Sequence, residues 1–242
     1  AHGLVVRGYY SSIDGSAQPY GLEIPADLNL TKSVPLYVWL HGRGDKTTDM
    51  HFIHQRMTRA GRIAPSNAIV LHPFGRHCMG FKSAGEIDVL ECIENVKQHY
   101  NIDTQRIVLM GFSMGGAGAW HVGAHYADHW VAVSPGAGFA ETKEYIKLKP
   151  ENYPSPYVQT LWGTYDIPLY VRNLFNVPVV AYSGEIDKQI QAARVMERAF
   201  ITEGRTLTHI IGPKMGHRYA PESLADIMQR MEQAATTGQV DV

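Results

Sequence analysis

The feature that most constrains the fold is a buried strand that runs directly into a glycine-flanked serine. The strand is predicted over residues 106–110, and Gly111-Phe112-Ser113-Met114-Gly115-Gly116 follows it. A serine on a sharp strand-to-helix turn brings neighbouring backbone very close, so only small residues fit two positions before and after it. Gly111 and Gly115 meet that requirement. The pattern predicts a strand, a tight turn and a helix, with Ser113 exposed on the turn as a candidate nucleophile.

A serine nucleophile needs a base that accepts its proton and an acid that orients the base. Where such a turn is used, the acid and then the histidine follow in chain order, on loops after later strands. Residues 177–182 predict a strand that ends in a loop with Asp187, and residues 207–211 predict another that ends in a loop with His217. Among twelve histidines, His217 alone lies on a glycine-flanked loop after the last predicted strand. We therefore predict Asp187 as the acid and His217 as the base.

The acid has alternatives. Asp187 could act only as the cap of the helix that begins near Lys188, a common position for aspartate. Glu185 lies on the same loop and is the second candidate. Asp166 follows an aromatic stretch without a clear strand before it, so it ranks third.

The sequence also predicts an oxyanion hole. One donor should be the backbone N–H of Met114, the residue after the nucleophile, and the second should follow the strand predicted over residues 34–40. Arg43 N–H is the preferred second donor, and Gly42 is the alternative. For the Arg43 side chain, solvation or an ion pair is preferred over a contact with a substrate carboxylate.

These motifs resemble the α/β-hydrolase superfamily and, within it, the prolyl oligopeptidase-type serine hydrolases and their single-domain esterase relatives. The resemblance covers residues 20–231 approximately. It rests on His41-Gly42-Arg43-Gly44, Gly85-Glu86-Ile87-Asp88, Gly111 to Gly116, Ser183 to Asp187, and Gly216-His217.

The resemblance implies an α/β fold with a mostly parallel central sheet and helices on both faces. It also implies a triad of Ser113, His217 and Asp187 that works through an acyl-enzyme without any cofactor. Peptidases of this family place a β-propeller or similar domain before the hydrolase domain. Residues 1–33 are too short for one.

Length and pattern predict one domain over residues 1–242, since 242 residues with 45% hydrophobic side chains suffice for one core. An N-terminal hairpin is expected over residues 8–25, with Asp14-Gly15 as its turn. Residues 136–175 break the alternation of strands and helices and predict a lid-like insertion. Residues 234–242 are expected to form a flexible tail.

Charge and composition limit the partners. The formal net charge is −1, so no basic surface indicates nucleic acid, and no run approaches the roughly 20 apolar residues of a membrane span. We therefore expect a soluble protein with a small-molecule ester substrate, carbohydrate-linked and peptide esters included. Two cysteines, Cys78 and Cys92, are too few for a disulfide framework, although the sequence is compatible with one disulfide between them. Because the chain begins with Ala1, the compartment stays open. The sequence does not reveal the oligomeric state.

Two further groups of residues are considered as substrate contacts and as metal ligands. His77, Phe139 and Trp162 are candidates for substrate contacts, because they lie on segments expected at the carboxyl edge of the sheet. Packing of the insertion is the equal alternative for its aromatic residues. His121, His125 and His129 lie at four-residue steps, but they lack the glutamate of a His-Glu-x-x-His motif, so we expect no metal.

Three functions fit the sequence. The preferred one is a serine hydrolase of carboxylic esters. A small serine peptidase with the same chemistry is second, although no acidic pair for a peptide α-amine is evident. A noncatalytic binding domain that retains the fold is third, and acyl transfer to an alcohol cannot be told from hydrolysis at this point.

Overall fold

The computed structural model describes residues 2–239, and its core is one eight-stranded sheet. The strand order is β1-β2-β4-β3-β5-β6-β7-β8, with β1 and β2 antiparallel to their neighbours and the other pairs parallel. The strands are β1 (Gly3–Tyr10), β2 (Ala17–Ile24), β3 (Val34–Leu40), β4 (Ile69–Pro73), β5 (Ile102–Phe112), β6 (Ala132–Gly136), β7 (Val180–Gly184) and β8 (Thr208–Gly212).

Helices connect the parallel strands. The α-helices of the described residues are α1 (Asp49–Thr58), α2 (Ala84–His99), α3 (Met114–His125), α4 (Thr142–Tyr145), α5 (Pro156–Trp162), α6 (Ile190–Thr202) and α7 (Pro221–Thr237). Short 3₁₀ segments cover Ala127–His129, Pro150–Asn152 and Ile167–Leu174. No helix among residues 2–239 has the length and apolar character needed to cross a membrane.

The two faces of the sheet are both buried, as expected for parallel strands with helical crossovers. Along β3, Leu36 and Val38 pack into a core that contains side chains of α2 and α3. Tyr37 and Trp39, which point to the opposite face, pack into a second core with side chains of α7. The alternation explains why β3 is apolar at every position, and it confirms the predicted α/β fold with helices on both faces.

The N-terminal hairpin forms where the sequence predicted it. Asp14 accepts a hydrogen bond from Ser16 N–H (3.1 Å) through Oδ1, and Gly15 has a φ of 69°, which glycine adopts without strain. The hairpin begins earlier than expected, because β1 starts at Gly3 and pairs with β2 along its whole length.

The insertion between β6 and β7 is partly core. Ile167, Val171 and Leu174 of its last 3₁₀ segment are buried in a third core with α6. These apolar side chains anchor residues 167–174 to the core, and a lid-like role for the insertion over residues 136–175 stays a prediction.

The predicted tail also needs correction at its start. Helix α7 continues to Thr237, and Ala235 is buried against the second core. The expected tail over residues 234–239 is thus helix or its end, while residues 240–242 of that prediction lie outside the described residues. Both cysteines are free, and Cys92 is a buried residue of α2.

Candidate active site

Ser113 lies on a strained turn between β5 and α3. Its φ is 60° and its ψ is −119°, a conformation that costs an L-residue free energy and is found at functional sites. A β carbon on Gly115 would collide with the carbonyl oxygen of Leu40, and one on Gly111 would collide with that of Gly115. The two glycines therefore permit the close packing that forces Ser113 outward.

Three side chains meet at the carboxyl edge of the sheet in one hydrogen-bonded row. His217 Nε2 lies 2.8 Å from Ser113 Oγ, and His217 Nδ1 lies 2.8 Å from Asp187 Oδ2. Asp187 is buried, with its side chain 4% exposed, whereas the His217 side chain is 43% exposed. We call Ser113, His217 and Asp187 the serine row. A buried carboxylate holds the inner nitrogen of the ring, and the outer nitrogen faces the hydroxyl.

The loop after β7 fixes the orientation of Asp187. Its second oxygen, Oδ1, accepts a hydrogen bond from Gln189 N–H at 3.0 Å, just before α6. Asp187 therefore holds the turn before α6 with one oxygen and contacts His217 with the other. It does not cap the helix, because α6 begins at Ile190 with Gln189 as its N-cap and without a side-chain cap hydrogen bond.

The alternative acids have other partners. Glu185 Oε2 accepts the backbone N–H of Lys214 at 2.6 Å, which fastens the acid loop to the histidine loop. Asp166 Oδ1 accepts both the N–H (2.9 Å) and the hydroxyl (2.7 Å) of Thr142, within the insertion. The contacts described for Glu185 and Asp166 do not include His217.

The loop after β3 approaches the serine from the other side. A β carbon on Gly42 would lie 3.8 Å from Cβ of Ser113, so this loop lines the same space as the hydroxyl. Met114 is the first residue of α3, and a helix leaves its first N–H groups without intrahelical acceptors. The Arg43 side chain is exposed and paired with Asp45, the solvated and ion-paired state preferred from the sequence.

An aromatic layer supports the histidine loop, and sequence reasoning missed it. The Phe112 ring lies 4.9 Å from the His217 ring and 4.8 Å from the Tyr219 ring, centroid to centroid. Tyr182 OH donates to Arg218 O and accepts from Ala220 N–H, both at 2.8 Å, so it bridges the residues that flank Tyr219. Burial raises the pKa of Tyr182, which keeps the hydroxyl protonated as a donor. A tyrosine two positions before the end of β7 was the only signal in the sequence.

The three candidate substrate residues make their described contacts elsewhere. His77 is exposed and its Nδ1 lies 2.7 Å from Thr47 O. Phe139 packs edge-on against Tyr145 and carries the Lys82 ammonium 4.2 Å above its ring, and Trp162 lies near Lys143. None of these contacts joins a member of the serine row, so a direct role in substrate binding stays a prediction.

One open cleft of the described residues lies away from the serine row. It has a volume of about 850 Å³ and is lined at the amino ends of the parallel strands, by Trp130, Val180 and Thr208 among others, and by α7. Ligands of open α/β sheets bind at the carboxyl ends of the strands. Ser113 follows the carboxyl end of β5 and therefore lies at the opposite edge of the sheet.

The fold and the placement of Ser113, Asp187 and His217 define the class as an α/β-hydrolase. A protein of Bacteroides ovatus described as a candidate dipeptidyl aminopeptidase IV superposes with a TM-score of 0.72 at 15% identity, over 98% of this chain and 36% of that one. A thermostable esterase superposes with a TM-score of 0.67 at 18% identity, over 98% of this chain and 63% of that one.

The chain belongs to the prolyl oligopeptidase family, whose model matches residues 81–234. A bifunctional acetylxylan esterase/xylanase of Neocallimastix patriciarum is 33% identical over 122 residues. That match covers 48% of this chain and 18% of the relative, so the chain spans less than a fifth of that curated protein.

Proposed function

We propose that this protein hydrolyses carboxylic esters, with Ser113 as nucleophile, His217 as general base and acid, and Asp187 as the group that orients His217. The observation that carries the proposal is the unbroken serine row, with 2.8 Å between His217 and each partner. A serine hydroxyl is activated by a base that lies within hydrogen-bond reach and is itself oriented by a third group.

The reaction follows from this row. Ser113 Oγ attacks the ester carbonyl carbon while His217 Nε2 takes the hydroxyl proton, and the buried Asp187 carboxylate stabilises the imidazolium. The tetrahedral intermediate expels the alcohol, which takes the proton from His217, and leaves an acyl-enzyme. Water then gives a proton to His217 and attacks the acyl carbon. Breakdown of this second intermediate releases the acid and returns the proton to Ser113.

The oxyanion is assigned to the backbone N–H groups of Met114 and Arg43. Met114 begins α3, so its N–H carries the positive end of the helix dipole. The Arg43 N–H belongs to the loop that reaches Ser113 at Gly42. Donors of this kind are worth about 10²–10³ in kcat each, because they point at charge that develops only during the reaction.

The preference for esters over amides rests on the similarity of this chain to an esterase. The substrate class is therefore proposed together with the mechanism. The relative from Neocallimastix patriciarum is named for acetylxylan esterase activity. We propose small acyl esters, including acetyl groups on carbohydrate, as the substrate class. The peptidase alternative shares every step up to the leaving group.

The chain offers a matched control for a serine test. Ser83 also lies just before a helix, with φ 52° and ψ −120°, nearly the conformation of Ser113, but its hydroxyl contacts Tyr165 OH at 2.9 Å instead of a histidine. A fluorophosphonate should label Ser113, and Ser113→Ala should abolish both labelling and hydrolysis of p-nitrophenyl acetate. Ser83→Ala should retain both.

The outcomes separate the alternatives. Label on Ser83 or another serine, located by peptide mass, would refute the nucleophile. Faster turnover of aminoacyl p-nitroanilides than of acyl esters, lost in Ser113→Ala, would establish the peptidase. Absence of labelling and turnover in folded wild-type protein would leave the noncatalytic domain.

A further inference from the structure

A second polar cluster lies between α2 and α3, away from the serine row. Glu86 comes from the first turn of α2, and His121 and His125 come from the last turns of α3. One nitrogen of each ring and one carboxylate oxygen all lie within 4.8 Å of one another. We call Glu86, His121 and His125 the histidine cluster.

Hydrogen bonding accounts for only part of this cluster. The Glu86 carboxylate contacts His121 Nε2 and accepts the Tyr126 hydroxyl at 2.6 Å. His121 Nδ1 and His125 Nε2 are buried, and neither has a hydrogen-bond partner among the described residues. His121 is 1% exposed as a whole. A buried polar atom without a partner costs about 1–3 kcal/mol, so two on adjacent turns require an explanation.

The donor set selects a class of ligand. Two imidazoles and one carboxylate suit Zn²⁺ and related transition metals, whereas Ca²⁺ and Mg²⁺ prefer oxygen ligands alone. Lys82 is the nearby cation that acts against a metal, and burial lowers its own pKa to about 8.

We propose that Glu86, His121 and His125 bind one divalent metal ion of the zinc class, which joins α2 to α3. The sequence directed attention to His129 as the third ligand, but this residue is exposed and its ring lies beside Tyr126 and Trp130. Glu86, from another helix, takes its place. The site departs from our expectation of no metal, since only the fold brings α2 beside α3.

The required adjustment is small. Zinc–ligand distances of about 2.0–2.2 Å bring tetrahedral ligand atoms to within ~3.4 Å of one another. The ligand atoms of the cluster already lie within 4.8 Å of one another, so a metal would draw any two of them closer by about 1.4 Å at most. The ion has three protein ligands, and water completes its coordination. Its role is to fix α3, the helix that begins beside Ser113, and it takes no part in acyl transfer.

The test uses the full chain stripped of metal with a chelator and titrated calorimetrically with zinc chloride. We expect one ion per chain with a Kd below ~10 µM. Cobalt(II) should give the visible absorption of a tetrahedral site. His125→Ala should weaken zinc at least ~100-fold, since even outer-shell changes cost 10–100-fold. His129→Ala, four residues on and outside the cluster, should bind within about twofold of wild type.

The experiment includes controls for misfolding of a variant and for zinc binding by the serine row. Glu86→Gln keeps the shape and removes the charge, so it should weaken zinc without a cavity at His121. His217 and Asp187 could also take zinc, and they are present in every variant. Tight binding that survives His125→Ala, equal loss in His129→Ala, or no binding by folded wild-type protein would each overturn the proposal. Hydrolysis of p-nitrophenyl acetate is measured separately and does not bear on it.

Discussion

At the scale of single residues, Ser83 and Ser113 separate conformation from reactivity. Both have a positive φ just before a helix, and both hydroxyls are within reach of another side chain. Only Ser113 faces an imidazole whose far nitrogen is held by a buried carboxylate. Its chemistry is therefore expected to come from its neighbours more than from the turn itself.

Asp187→Asn should lower kcat by about 10⁴-fold, because an amide favours the wrong tautomer of His217. Glu185→Gln is the matched control, since its carboxylate accepts from Lys214 N–H and should matter little for the rate. Steady-state kinetics on p-nitrophenyl acetate test the pair. A larger loss in Glu185→Gln than in Asp187→Asn would reverse the assignment of the acid.

Tyr182→Phe should slow catalysis without weakening substrate binding. The change leaves the Ala220 N–H and the Arg218 carbonyl without the hydroxyl that bridges them. A lost buried hydrogen bond costs about 1–3 kcal/mol, so we expect kcat to fall about 10-fold with KM nearly unchanged. Tyr157→Phe, on an exposed tyrosine, is the control. Equal kinetics in both variants would show that the bridge does not position His217.

The difference between Asp187 and Tyr182 explains what a sequence reveals about a site. Asp187 follows a recognisable strand, and strand ends meet at one edge of a parallel sheet, so its position near Ser113 could be predicted. The contacts of Tyr182 join β7 to a loop 36 residues later and depend on packing that no local pattern encodes. Glu185 was interpreted as a spare acid for the same reason, because its partner Lys214 lies on another loop.

At the scale of elements, the helices divide the work between the two faces of the sheet. Helices α2 and α3 pack on one face, beside the serine turn, whereas α7 covers the other. The glycine-flanked serine turn predicted the existence of α3, which begins at Met114 directly after Ser113. The ends of helices are harder to predict. The sequence around Ala235 is typical of a tail, and only the structure shows that Ala235 is a buried residue of α7.

Met231→Ala should lower the free energy of unfolding by about 2–5 kcal/mol, because Met231 is fully buried in α7 and truncation leaves a cavity. Met57→Ala, on an exposed methionine of α1, should change it by less than about 0.5 kcal/mol. Urea unfolding followed by circular dichroism measures both. Equal stability of the two variants would mean that α7 does not pack as described.

At the scale of the whole molecule, one buried histidine links stability to acidity. His72 lies in β4, fully enclosed, with Glu23 at 2.8 Å and the charges of Arg56 and His41 nearby. Burial lowers the pKa of His72 below its ordinary 6.5, so the folded protein keeps this ring neutral. Below pH 6.5 His72 binds a proton in the unfolded chain but stays neutral in the folded chain, so the folding equilibrium shifts toward the unfolded state.

We therefore expect full stability from this group above pH 6.5 and a decline of up to about 1.4 kcal/mol per pH unit below it. Urea unfolding at pH 7.5 and 5.5 measures the decline. His72→Gln should reduce the difference between the two pH values, while His129→Gln, at an exposed ring, should leave it unchanged. A His72→Gln variant with the wild-type pH dependence would assign the effect to other groups.

The turn at Ser113 has a consequence for how durable such a protein can be. A non-glycine residue whose backbone is held at a φ of 60° costs on the order of 1–3 kcal/mol, a substantial share of the 5–15 kcal/mol that keeps a typical domain folded. The free energy that offsets this cost has to come from the tightly packed strands, which are buried away from the turn. Any advantage of the position of Ser113 is thus opposed by a loss of stability at the same residue, which the rest of the chain has to offset.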